Sequence, residues 1–338
     1  MRALGALIAA AVLVLPAAAI AAEPPAPQGY RLETVRVPGA KFAGLARDGD
    51  ALLVSDLASG RLFRRGPDGR LVAFGPVFPH GVDVIGDPTG PYRVARVGDR
   101  LVVAQGWTPV DRREGPLDHA IIALDDAGKT RVISNDFWNP FDFAAAADGL
   151  YVVDAARNSV EHLQPDGRRN TIVTFRRLEQ AGEALQGLSP TEFAKGETYP
   201  VDAVPTGVAR SNGRLYITLF GGFPFLAGAG KVVSVLEAGG PSQPRIEAEG
   251  LNAPVAVAFD RDGAMLVLEH GTYDQSQGFA KGSGRLLQFG GKGDRKAILD
   301  GLTRPVSLLV WDGRQLVVSG LDGNLHFLRR PASDPTRK

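Results

Sequence analysis

Apolar positions along this chain come in short alternating runs of about four to seven residues, each cut by Gly, Asn or Asp, a period that predicts strands rather than helices. The clearest unit spans residues 203–235, AVPTGVARSNGRLYITLFGGFPFLAGAGKVVSV. It reads as a strand opened by Pro205, a Ser211-Asn212-Gly213 turn, a second strand over 214–219, an aromatic and glycine-rich loop, and a third strand over 231–235. Proline at a strand start forfeits no ladder hydrogen bond, glycine supplies the positive φ of a tight hairpin, and β-branched and aromatic residues favour the pleated surface.

The unit recurs. KFAGLARDGDALLVSD from Lys41, GPYRVARVGDRLVVAQ from Gly90, NPFDFAAAADGLYVVD from Asn139, APVAVAFDRDGAMLVLE from Ala253 and RPVSLLVWDGRQLVVSG from Arg304 repeat it. The anchors Phe42, Pro91, Pro140, Pro205, Pro254 and Pro305 are separated by 49, 49, 65, 49 and 51 residues. Third and fourth strands follow in the copies from Lys41, Gly90, Asn139 and Ala253, joined by turns such as Pro67-Asp68-Gly69 and Pro165-Asp166-Gly167. Four-stranded repeats of this length predict an all-β fold, a six-bladed β-propeller with four antiparallel strands per blade. The last copy lacks an outer strand and residues 31–37 form one with no partner, so the N-terminal strand is expected to close the last blade. The propeller thus covers residues 31–329, followed by a polar tail, 330–338.

Loops joining second to third strands, and one blade to the next, fall on one face of a propeller. On that face the connections 75–90, 105–119, 176–204, 220–230 and 270–284 are long, whereas the opposite face has short turns suited to closure. Long loops on a rigid scaffold are the usual seat of function. His80, His119 and His270 fall in or beside them, as do Trp107, Trp138, Tyr273, Phe223 and Phe225; His162 and His326 lie in third strands and read as structural. Two residues after each anchor stand Gly44, Arg93, Asp142, Gly207, Ala256 and Ser307, a small or polar set facing the channel. Arg93 and Asp142 on neighbouring blades read as an interblade salt bridge before a catalytic pair. Second strands end in Asp56, Gln105, Asp154 and Glu269, which with Asp142 and Asn139 would offer oxygens to a divalent cation such as calcium. No H-x-E pair, EF-hand loop or GxSxG elbow is present.

Composition narrows the setting. Residues 1–22, with Arg2, an apolar run and small residues from Ala17, have the form of a secretory signal peptide, and the proline-rich 23–30 that of a leader. The expected location is periplasmic or secreted, with no membrane insertion after cleavage. The absence of cysteine excludes disulfides, thiolate nucleophiles and thiolate metal sites. With 38 basic and 37 acidic residues the chain has no general attraction for nucleic acid or anionic membrane.

NPFDFAAAADGLYVVDAARNSVEHLQPDG from Asn139, VPTGVA and LYITLFGGFPFLAGAGKVVSV within 204–235, and GLNAPVAVAFDRDGAMLVLEHG from Gly250 resemble the ScyD/ScyE family. The segment 222–225 is the most specific part, and the chain departs from the family in 87–91 and 111–118. The resemblance implies an exported bacterial six-bladed propeller akin to NHL-repeat and gluconolactonase-like propellers. The family is named for proteins associated with scytonemin biosynthesis, and most members have no established activity.

The leading expectation is a monomeric binding or scaffold propeller that engages a small molecule or a partner protein through its long-loop face. Its candidate ligand-binding residues are His80, Arg93, Trp107, His119, Trp138, Asp142, Phe223, Phe225, Glu269 and His270. The alternative is an enzyme on the same face. In a lactonase-like form a cation held by Asp142, Asp154 and Glu269 activates water with His270 as base. In a quinoprotein form a PQQ over the channel mouth takes hydride from a sugar, with His80, His119 or His270 as base.

Overall fold

Six four-stranded antiparallel sheets follow one another along the chain, and their innermost strands are Phe42–Asp48, Pro91–Val97, Pro140–Ala146, Pro205–Ser211, Pro254–Phe259 and Pro305–Val310. The computed structural model describes residues 24–83, 85–106, 115–182, 198–238, 243–290 and 294–330. Each inner strand packs against the next, the last returning to the first, which closes the ring predicted from the repeat. Blades are numbered 1 to 6 in the order of these strands.

Each blade is tied at the same place. The residue after the second strand donates its N–H to the carbonyl of the residue before the anchor: Leu57 to Lys41, Gly106 to Gly90, Ala155 to Asn139, Phe220 to Val204, His270 to Ala253 and Leu321 to Arg304, at 2.9 to 3.1 Å. Every inner strand then has a register shift just after its anchor. The bulge frees backbone donors, which hydroxyls of the second strand recover: Ser55 accepts from Gly44 N–H at 2.8 Å, Thr218 from Gly207 N–H at 2.6 Å and Ser319 from Ser307 N–H at 3.2 Å.

The two glycines of the anchor-plus-two set, Gly44 and Gly207, sit where neighbouring inner strands meet. A Cβ built on Gly44 would stand 2.7 Å from the Tyr92 carbonyl oxygen and Arg93 Cα, and one on Gly207 would stand 2.8 Å from Ala256 Cα. Neighbouring inner strands touch there, and only glycine lets the backbones approach so closely. Between the blades lie the apolar cores, such as Val102, Ile121, Phe143, Leu150 and Leu163 between blades 2 and 3.

Blade 6 is completed by the N-terminal strand Arg31–Arg36, which pairs with Asn324–Arg329 from Arg31 opposite Arg329 to Arg36 opposite Asn324. Thr34 Oγ1 lies 3.0 Å from His326 Nδ1 across this seam. The expected closure is therefore present, and His326 is structural, as read.

Among the described residues three small antiparallel pairs, absent from the sequence reading, are built into long connections: Gly81–Val82 with Pro88–Thr89, Leu178–Ala181 with Thr198–Val201, and Tyr273–Asp274 with Gly278–Phe279.

Candidate functional site

Blades 4 and 5 contribute most of the site. The blade 4 loop supplies Phe220, Phe223 and Phe225, and the blade 5 hairpin supplies Tyr273 and Phe279, with His270 at its base. Phe225 meets Tyr273 edge-on at 5.0 Å, Phe223 meets Phe225 at 5.8 Å, and His270 meets Phe279 edge-on at 4.6 Å. Edge-to-face pairs of this kind hold two loops of unequal sequence as one surface. Phe223 is 37% exposed at its crest.

Arg304, just before the blade 6 anchor, joins this surface to the far side of the mouth. Its guanidinium lies 5.7 Å over the Phe279 ring, and its Nη2 reaches Asp87 Oδ1 at 2.7 Å on the hairpin between blades 1 and 2. Its Nε donates to His270 Nε2 at 3.3 Å. The other imidazole nitrogen, Nδ1, lies 2.9 Å from the Pro305 carbonyl, which only accepts, so Nδ1 carries the proton and Nε2 is the acceptor. Burial, then the charge of Arg304, lowers the His270 pKa to about 3 against the opposing bond to Pro305. His270 is thus a neutral imidazole with both nitrogens engaged.

The hairpin side of the mouth carries Asp83 and Asp87. Burial raises the Asp83 pKa, opposed by N–H bonds from Asp87 and Ile85. Tyr92 beneath them is buried and stacks on Phe141 of the next blade at 4.5 Å. Burial raises its pKa, and the two carboxylates add to the effect.

The structure brings Phe223, Phe225 and His270 together, and joins Arg93 to Asp142 within the channel, Nε to Oδ1 at 3.0 Å. Arg93 also donates to the Leu45 carbonyl of blade 1, and Asp142 Oδ2 accepts from Val208 N–H of blade 4 at 3.0 Å. The interblade salt bridge of the sequence reading is present, and through their further bonds the two residues couple four blades. His119 Nδ1 lies 2.5 Å from the Trp138 carbonyl, while the Trp138 ring, 55% exposed, lies against Arg157. His80 Nδ1 lies 3.0 Å from the Phe78 carbonyl. Trp107 lies outside the described residues.

The carboxylates at the ends of second strands are engaged by protein donors. Asp56 accepts from Lys41 N–H, Asp154 from Trp138 and Asn139 N–H, and Glu269 from Asn252 N–H while pairing with Arg285 at 2.6 Å. They clamp the chain where it turns into each inner strand. Among the described residues no three His, Asp or Glu side chains come together as a metal site. The grouped residues are divided among blades 1, 2, 3 and 5, with Asn139, Asp142 and Asp154 together on blade 3.

Arg304, Asp87, Tyr92, Phe220 and Phe279 escaped sequence reasoning. The available signal was the residue before the anchor, a long cation in Arg304 and Lys41 and an uncharged residue in Gly90, Asn139, Val204 and Ala253.

The fold is a six-bladed β-propeller of four-stranded antiparallel blades. Among solved structures, the chain is similar to a gluconolactonase from Xanthomonas campestris, with 16% identity, a TM-score of 0.58, and coverage of 90% of this chain and 91% of that one. It is also similar to the calcium-binding protein regucalcin from Agrobacterium tumefaciens, with 11% identity, a TM-score of 0.54, and coverage of 87% and 90%. A streptogramin B lyase gives 14% identity, a TM-score of 0.50, and coverage of 89% and 98%. No protein-family model matches the sequence, and no curated protein matches it.

Proposed function

We propose that this protein is an exported binding propeller of the ScyD/ScyE type whose long-loop face takes a small organic molecule at the channel mouth. The observation that carries the reading is the aromatic group of Phe220, Phe223, Phe225, Tyr273 and Phe279, set beside the half-buried Arg304 and Asp87. Apolar walls with a few convergent polar groups are the usual make-up of a small-molecule site. The Asp87–Arg304 pair supplies both an acceptor and a donor at the edge of the rings. Export follows from the signal-like residues 1–22.

Screening the purified chain against a library of small aromatic and cyclic compounds by thermal shift tests this reading. Hits that lose affinity in Phe223→Ala and Arg304→Gln support it, while hits insensitive to both place the site elsewhere. A partner protein that binds in place of any small molecule would also overturn it.

The lactonase-like reading is the one the fold neighbours bring forward. It ranks second because Asp142, Asp154 and Glu269 are each engaged by backbone N–H groups or arginines, and His270 Nε2 is taken by Arg304. Stoichiometric calcium in the purified protein together with lactone hydrolysis would reverse that order. The quinoprotein reading is checked by titration with PQQ, where an absorbance change at one equivalent would favour it.

A further inference from the structure

The short-turn face, read from sequence as built for closure, contains one seam unlike its neighbours. Five residues after the anchors stand Arg47, Arg96, Ala145, Arg210, Phe259 and Val310. The long side chains in this set reach back to the preceding blade. Arg47 lies 5.2 Å over the Trp311 ring of blade 6, and Arg96 Nη2 contacts Asp48 of blade 1 at 3.3 Å. Arg210 lies 5.7 Å over Tyr151 of blade 3, and Phe259 meets Tyr216 of blade 4 edge-on at 4.7 Å.

Blade 3 alone has alanine at this position, followed by Ala146 and Ala147. A cleft of about 240 Å³ lies between blades 2 and 3 beside this position, and Ala146, Ala147 and Gly149 line it on the blade 3 side. Val97 and Ile133 are its partly exposed apolar walls, over the buried core residues Val102, Leu150 and Leu163, and Arg100 and Arg131 stand among the lining residues. Among the described residues Arg131 has no hydrogen-bond or ion-pair partner. Arg100 has only the exposed Asp99 at 3.8 Å. The lining therefore carries two guanidiniums against one carboxylate, over an apolar interior.

We propose that this cleft binds a short aliphatic carboxylate, its tail between blades 2 and 3 and its head on Arg131 and Arg100. The volume falls below the roughly 300 Å³ at which drug-sized sites begin, which favours a single unbranched chain over a ring system. Apolar burial supplies the affinity, and a charge-assisted bond to guanidinium fixes the orientation. The site is separate from the aromatic mouth, being built from the turns of the opposite face.

Octanoate titrated into the full chain by calorimetry tests the proposal, with octan-1-ol as the uncharged comparison. The expected result is saturable binding of octanoate, weakened about tenfold by Arg131→Gln, a change of about 1.4 kcal/mol. Ala145→Arg, which copies blades 1, 2 and 4, is expected to abolish binding while keeping or raising the melting temperature. If that variant fails to fold, Ala145→Phe, which copies blade 5, serves the same purpose. Octan-1-ol should bind more weakly and ignore Arg131→Gln, and Phe223→Ala should leave octanoate binding unchanged. Absence of saturable binding, or binding unaffected by both the Ala145 and Arg131 substitutions, would overturn the assignment.

Discussion

The Asp142 carboxylate lies 3.0 Å from Arg93 Nε on the neighbouring blade, and its second oxygen accepts the Val208 N–H of the blade beyond at 3.0 Å. Burial raises the Asp142 pKa and the Arg93 charge opposes it, as expected where an ion pair sits in the tightly packed wall of the channel. Asp142→Ala strands a guanidinium and a backbone donor together, so it should cost about 3 kcal/mol, the low end for a broken buried pair because each partner is about one-fifth exposed. Asp142→Asn keeps an acceptor for Val208 and should cost less. Urea unfolding of the three proteins checks the order, and equal midpoints would dispose of the coupling.

The closing seam should be acid-sensitive. Burial lowers the His326 pKa to about 4, below the ordinary value of 6.5 that it regains on unfolding. The unfolded chain therefore takes up the proton first, so this contribution is complete above pH 6.5 and is lost as pH falls towards 4. The full separation corresponds to roughly 3 kcal/mol. His270, lowered to about 3, acts in the same direction. In His326→Asn the fall in melting temperature between pH 7 and pH 4.5 should be clearly shallower than in the parent; parallel curves would contradict this.

The Asp87–Arg304 bond fastens the hairpin Gly81–Val82 with Pro88–Thr89 across the channel mouth. Both side chains are partly exposed, 24% for Arg304 and 32% for Asp87, so the pair should contribute no more than about 1 kcal/mol. Asp87→Asn is accordingly expected to speed amide exchange within residues 81–89 by about fivefold with little change in global stability. Exchange measured by mass spectrometry resolves this, and an unaltered hairpin would mean that its backbone pairing alone holds it.

Removing residues 24–37 exposes the edge of Asn324–Arg329 and unpairs Thr34 from His326. The loss should reach several kcal/mol and promote association through the open edge. Calorimetry and size-exclusion chromatography report the two effects, and a truncated chain that melts with the parent would remove the N-terminal strand from the closing role.

The alternation of apolar residues, the anchor prolines and the glycine turns act within single repeats of about 50 residues, which is why the six blades and the closing strand are legible in the sequence. Within the site, Phe223, Phe225 and His270 were legible because a long aromatic loop on a predicted face is itself a local signal. The Arg93–Asp142 pair was also legible, since equivalent positions on adjacent repeats must be neighbours.

Other features depend on where the closed ring carries residues far apart in the chain. Arg304 and Asp87 lie 217 positions apart and meet only because the ring returns blade 6 to blade 1. Asp56, Asp154 and Glu269 resembled ligands in the sequence, and the fold uses them to hold backbone donors at the turn into each blade. Ala146 and Ala147 are ordinary residues in the sequence, and their smallness gains a consequence only where blade 2 stands opposite them across a cleft. The sequence by itself determined the repeated blade and its count, because those rest on hydrogen bonding and side-chain alternation within one hairpin. Tertiary structure decided which loop residues share the mouth and where a seam stays open, because those depend on distances set by closing the whole ring.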